Sequence, residues 1–274
     1  MEKDQVRQLN AKIQLDSKLK PKVKRLLKKI AKDFEKLYSE KGVIPNMQEY
    51  IESWHKLLVK HYQAVEDEFF GKAGEELGRK PTKEQVMLIL LALAIMRQER
   101  ASESSRQISD TNSEQIEESI EKAKQNLTES GLSLENSAVA LLASQFFRDK
   151  IDGRSATIAM TETQFIAETS KNIEADALTN NKNLFLDAAV ESNPDFLASA
   201  YVIGAAEHYE KEWLSALLPT TREAHAAAHG QTVASDELFY VGGEYLKYPG
   251  DSSHGASAGN LINCYCQARY NKLK

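Results

Sequence analysis

Two cysteines in 274 residues cannot form a disulfide framework, and the start, MEKDQVRQLN, lacks the apolar stretch that opens a secretory signal. The chain is therefore expected to be made in a cytoplasm. It also lacks a long hydrophobic run: the longest, VMLILLALAIM at 86–96, has 11 residues where a bilayer span needs about 20, so it reads as a buried helix. The charge is modest, with a net of -5 that excludes a surface basic all over and built to coat nucleic acid. No sequence repeat, phosphate-binding glycine loop, nucleophile motif or paired-carboxylate arrangement is present that would name a reaction.

What is present is 42% hydrophobic residues, enough for a sizeable core, and apolar spacing that is helical over most of the chain. The segment KLKPKVKRLLKKIAKDFEK at 18–36 carries nine basic residues against two acidic ones, an excess of seven that leaves -12 on the remainder. Pro21 is expected at the first turn of this basic helix, where a missing N–H costs little. A second helix opens at Asn46 and Glu49 and carries Tyr50, Trp54, Leu57, Leu58 and Tyr62 on one stripe, with His55 and His61 on other faces, read as surface or interface positions. Thr82 and Gln85 form a capping box ahead of the apolar helix.

Residues 101–136 are polar and serine-rich, with eight acidic and three basic residues over 103–135, and are expected to form an acidic connector holding one helix around Ile116 and Ile120. Helical spacing returns from Ser137. Gly153 is expected to separate two helices, and a further helix is expected from Asn193-Pro194-Asp195 to Pro219. Past Pro219 the texture changes, and ELFYV-GG-EYLKY reads as a β-hairpin. The expected architecture is mostly α with a small α+β end: a helical N-terminal region (1–100), the connector (101–136), a helical body (137–218) and a C-terminal domain (219–274) holding a short helix, a hairpin and a loop-rich Cys-x-Cys end.

The chemistry-bearing residues cluster in that last region. Thr220 or Thr221 is expected to cap a helix that Gly230 closes, and His225 and His229, four apart, would share a face of it. Cys264 and Cys266 would point to one side of an extended segment, so two histidines and two thiolates can be drawn around one tetrahedral zinc ion. Three readings stay open for the cluster: a structural metal staple, a core held by hydrogen bonding and packing, and an active site with a histidine base, Asp251 as its orienter and Arg222 for an anion.

The order Trp213, Arg222, His225, Gly230, Val233, Phe239, then Tyr248-Pro249-Gly250-Asp251, then Asn263-Cys264-x-Cys266 resembles the C-terminal domain of phage Mu F-like proteins, the minor head or head-morphogenesis family of tailed bacteriophages. RSATIAMTET, containing Arg154, Thr161 and Glu162, resembles an upstream segment of the same family, so the resemblance spans roughly 137–266. This sequence departs from the pattern at Met160, Leu218, His229 and Tyr265, where an arginine, an aspartate, a polar or acidic residue and a basic residue are usual.

The resemblance implies a structural protein of the virion rather than an enzyme. It would be made in the bacterial host, built into the capsid interior or portal vertex in several copies, and needed for head assembly and DNA packaging or delivery. Its partners would be the portal protein, with the major capsid or scaffolding protein and packaged double-stranded DNA as further contacts. The family comparison favours His225, Asp251, Cys264 and Cys266 as the polar cluster holding the domain together, a staple expected with or without structural zinc. Lys22, Lys24, Arg25, Lys28 and Lys29 are the expected contact to DNA or to an acidic portal surface. Two other readings are a DNA-binding protein ejected with the genome and a metal-dependent nuclease or toxin-related enzyme.

Overall fold

The structure is a computed structural model that describes residues 3–194 and 206–272. Its described elements run α1 (Lys3–Lys41), α2 (Gln48–Phe69), α3 (Lys72–Leu77), α4 (Lys83–Glu129), α5 (Asn136–Thr179), α6 (Leu184–Ser192), β1 (Tyr209–Leu214), α7 (Glu223–Ala227), β2 (Thr232–Ala234), β3 (Phe239–Val241), β4 (Glu244–Leu246), α8 (Ala258–Leu261) and β5 (Gln267–Lys272). The chain is thus long helices followed by a small α+β end, as its apolar spacing dictates. It divides differently from the four consecutive segments expected. One compact unit takes Met1–Asp16, His61–Glu99 and Met160–Lys274, and the other takes Ser17–Lys60 and Arg100–Ala159.

In the second unit, α1 buries Leu19, Val23, Leu27, Ile30, Phe34 and Tyr38 at steps of three and four, against the expectation only in where the helix begins. Pro21 lies inside a 39-residue helix rather than at its first turn. The preceding turns continue the same face with polar side chains, Gln5, Gln8, Lys12 and Asp16, all buried, which hides the period from a hydrophobicity count. The acidic stretch is helical as well, since α4 continues to Glu129. Its inward seam reads Ala101, Ser105, Ile108, Asn112, Ile116, Ser119, Ala123 and Leu127, with small polar residues in alternate core positions. Gly131 then takes φ 67°, and the N–H groups of Gly131 and Leu132 close on the carbonyls of Thr128 and Leu127. Gly153 separates nothing: α5 runs through it.

The capping box at α4 is present, with Gln85 N donating to Thr82 Oγ1 at 3.2 Å and Thr82 N to Gln85 Oε1 at 3.0 Å. The hairpin is present too, with Gly242 and Gly243 at φ 59° and 88° joining β3 to β4 in the primed-turn conformation that matches strand twist. The helix expected up to Pro219 is a strand where it is described: Tyr209–Leu214 pairs antiparallel with both β2 and β5. Residues 195–205 of that expected helix lie outside the described residues. The alternation in YEKEWL is masked by Lys211, which is fully buried and donates to the carbonyls of Glu237 at 2.6 Å and Lys247 at 3.1 Å.

The first unit is organised by the C-terminal half of α5, where 162–164 and 166–179 are all buried. A helix covered on every side must pair each polar group it carries. Glu168 accepts from Lys12 Nζ at 2.6 Å and from Ala268 N at 2.8 Å; Lys171 donates to Gln8 Oε1 and Glu76 Oε1 at 3.0 Å and to the Ala268 carbonyl at 2.6 Å. Gln164 Nε2 donates to the Cys266 carbonyl at 2.7 Å, and Glu76 accepts from Tyr270 N at 3.0 Å. In the sheet order β2-β1-β5, β5 is an edge strand, so these side chains occupy the place of a missing strand along residues 266, 268 and 270.

Replacing Lys12 by Met should therefore leave Glu168 buried without its cation and cost about 3–5 kcal/mol in urea denaturation, whereas Lys12→Met combined with Glu168→Gln should recover part of that loss. A single substitution costing under about 1 kcal/mol, the range of an exposed pair, would show that the pair does not brace the edge.

Candidate metal centre

Each side chain of the site is delivered by a different local device. Gly230, at φ 82°, lets the chain double back after α7 so that its N–H reaches the Trp213 carbonyl at 2.8 Å, while Trp213 N donates to the Gln231 carbonyl at 2.8 Å. This ties α7 to β1 and brings His225 edge-on to the Trp213 ring, centroids 5.8 Å apart; Phe239 packs on the same indole at 5.4 Å. Asn263, at φ 54°, turns the chain out of α8, its N–H 3.4 Å from Thr161 Oγ1. The next residues lay Cys264 and Cys266 into the same core as Trp213, Phe239, Val241 and Leu246.

His225, Cys264 and Cys266 form one buried group in which the ligand atoms all lie within 4.8 Å of one another. Both sulfurs are 3.4 Å from His225 Nδ1. The other ring nitrogen, Nε2, lies 3.1 Å from Asn260 Oδ1. Asn260 Nδ2 donates to the Val241 carbonyl at 3.0 Å and to Glu244 Oε2 at 2.6 Å, so its oxygen is the end left to accept from the imidazole. In the neutral ring the proton therefore sits on Nε2, and the Nδ1 lone pair faces the two thiols.

The donor set suits a soft or borderline ion. Zinc bound tetrahedrally at about 2.3 Å from sulfur and about 2.0 Å from nitrogen holds those atoms about 3.6 Å apart, close to the spacing already present. The group can thus hold a metal ion with little rearrangement, and the residues fit zinc. Without metal the thiols are unequal. The hydrogen bond with Cys264, opposed by burial and reinforced by His225, holds the Cys266 thiol down to about 5. The same bond, followed by burial, pushes Cys264 up.

Two expected ligands stand elsewhere. His229 is exposed, and its Nδ1 accepts from Ser215 N at 3.1 Å. The shared-face argument fails because α7 ends at Ala227, two residues short of it. Asp251 is buried but spent on its own turn, accepting from Lys247 N at 2.7 Å, Ser253 N at 2.9 Å and Ser253 Oγ at 2.5 Å, with His254 Nδ1 at 2.9 Å. It locks the Tyr248-Pro249-Gly250-Asp251 turn, in which Gly250 takes φ 92°. Neither threonine caps α7 by its side chain: the N-cap is Arg222, and Thr221 Oγ1 instead accepts from Leu218 N at 2.8 Å.

The remaining motif residues serve packing. Arg222 donates to the Ile262 carbonyl, Tyr248 Oη accepts from Thr169 Oγ1 at 3.2 Å, and the Pro249 carbonyl accepts from Gln164 at 3.3 Å. Glu162 accepts from Tyr62, and His61, expected at the surface or an interface, is buried with Nε2 2.9 Å from Thr163 Oγ1. Arg154 lies in the other unit, where it donates to Asn112 Oδ1 at 2.5 Å and burial pushes it down to about 10. Of the basic residues on α1, Lys22, Arg25, Lys28 and Lys29 are exposed, while Lys24 pairs with Asp152 at 2.5 Å and Lys29 with Asp33 at 2.5 Å. Sequence reasoning missed Asn260 and Gln164. Neither sits in a spacing pattern that marks a ligand, since one orients the histidine and the other holds a backbone carbonyl.

Compared with family models, curated proteins and solved structures, the chain matches none.

A thiol whose folded pKa lies below its unfolded value contributes stability that is present above the unfolded pKa, about 8.5, and is lost as pH falls through about 5. The reduced, metal-free chain should accordingly lose more stability between pH 8 and pH 5 than its Cys266→Ser variant, as measured by urea denaturation in chelator. Equal slopes would remove the thiolate from the account.

Proposed function

We propose that the chain is a minor head protein of a tailed bacteriophage, built into the capsid at the portal vertex, and that its C-terminal domain is pinned by one structural zinc ion on His225, Cys264 and Cys266. The observation that carries the reading is convergence. Residues separated by up to 53 positions, namely Trp213, His225, Phe239, Cys264 and Cys266, are among those that resemble the head-morphogenesis pattern, and they come together in one core, with Trp213 and both thiols against the His225 imidazole. Their chemistry favours a staple over an active site. Beside the group, the cleft is lined by Ala216, Leu218, Thr220, Thr221, Arg222, Asn263 and Tyr265, which offer no carboxylate or second imidazole to move a proton.

In this role the portal protein is the principal partner, and the long helices supply the surface that meets it. Quantitative mass spectrometry of purified particles and DNA-free procapsids, scaled to the portal subunit, tests the proposal. Presence in both, at or below portal stoichiometry, is the expected result. Absence from both would overturn it and return the His/Cys group to consideration as a catalytic centre.

A second reading is favoured by the exposure of Lys22, Arg25, Lys28 and Lys29 along α1, which gives a cationic stripe in an acidic chain. If the stripe meets packaged DNA, affinity for duplex DNA should fall steeply with salt. Changing these four residues together with Lys24 to Gln should then flatten the slope by up to about 0.9 for each phosphate no longer neutralised. Salt-independent or absent binding would exclude the DNA role.

A further inference from the structure

The group contributes three ligands, and a tetrahedral ion needs four. Among the described residues no other histidine, cysteine, aspartate or glutamate joins it, and the two that the sequence offered, His229 and Asp251, are held elsewhere. The three ligand residues themselves line a cleft of about 20 Å³ whose rim is formed by the exposed residues Thr220 and Asn263. That is room for about one water molecule. The threonine hydroxyls on its wall are not zinc ligands of the usual set, which comprises thiolate, imidazole and carboxylate.

Arg222 lines the same cleft. One of its five N–H donors goes to the Ile262 carbonyl, which anchors a positive charge on the wall of the cleft that the three ligand residues also line. A cation held in that cleft favours an anion over a neutral molecule there.

We infer that the centre is coordinatively open: its fourth position takes an exchangeable ligand from solvent, water or a small anion, and Arg222 selects for the anion. The inference rests on the metal reading above. Three protein ligands are enough to cross-link α7 to the Cys-x-Cys segment, as the staple requires, and they leave one position of a tetrahedral ion for a ligand from solvent. A bound ion would supply the Lewis acid and Arg222 the anion clamp, while the Tyr265 hydroxyl on the same wall is committed to Asp16, so the site inferred is one that binds a small anion.

Cobalt(II) in place of zinc, with azide as the probe, tests this on the full chain. Cobalt loading should give the visible bands of a tetrahedral ion with thiolate charge transfer in the near ultraviolet. Titration with azide should then shift the visible bands saturably while the thiolate band persists. Arg222→Gln should keep the cobalt spectrum and weaken azide binding by about fivefold or more, and Arg222→Lys, which retains the charge, should keep more of the affinity than Gln does. A thiolate–cobalt spectrum insensitive to azide would mean that the fourth ligand comes from the protein, and the inference would fall while the metal reading stood. No thiolate–cobalt spectrum at all would overturn the metal reading itself. Equal azide affinity in wild type and Arg222→Gln would remove Arg222 from the site.

Discussion

The unpaired edge of β5 is the constraint on which the C-terminal domain depends. An edge strand inside a protein must find partners for every outward N–H and carbonyl, and among the described residues no strand provides them. Side chains from three helices do so instead. Glu168 and Lys171 of α5 take the N–H and carbonyl of Ala268, Glu76 of α3 takes the N–H of Tyr270, and Gln164 of α5 takes the carbonyl of Cys266. Each buried charge along this edge finds a counterpart, as its burial requires. Lys12 closes the set, reaching Gln164, Glu168 and the Cys266 carbonyl from α1.

The His225, Cys264 and Cys266 group, which could hold a metal ion, inherits that precision. Cys266 has its carbonyl held by α5 and its thiol turned toward His225, so the residue that ends the edge network also begins the site. On the other side, Asn260 and Glu244 hold the imidazole in the tautomer that offers Nδ1 to sulfur. The site is therefore braced from two directions by groups outside it. An ion held there would cross-link α7 to the Cys-x-Cys segment, elements distant in sequence.

Much of this was legible in the sequence, and what was not had a common physical cause. The hairpin at Gly242-Gly243 and the Thr82–Gln85 cap follow from local rules of turn geometry and helix termini, and Cys264 beside Cys266 from their spacing, while the grouping of His225 with them rests on the family resemblance. The connector, the position of Pro21 and strand β1 were misread where polar residues occupy buried positions: Ser105, Asn112 and Ser119 in α4, Gln8 and Lys12 in α1, and Lys211 in β1. Hydrophobic periodicity does not see a core face made of serines and paired charges. His229 rests on helical spacing and Asp251 on the family resemblance, and the early end of α7 and the closed turn after Tyr248 direct both elsewhere.

Zinc K-edge X-ray absorption on the zinc-loaded full chain bears most directly on the central claim, that His225, Cys264 and Cys266 form a metal centre braced by the edge network. The account predicts two sulfur neighbours at about 2.3 Å and two nitrogen or oxygen neighbours at about 2.0 Å, one of the latter showing the multiple scattering of an imidazole. A shell of oxygen and nitrogen alone, without sulfur, would place the ion elsewhere and contradict it.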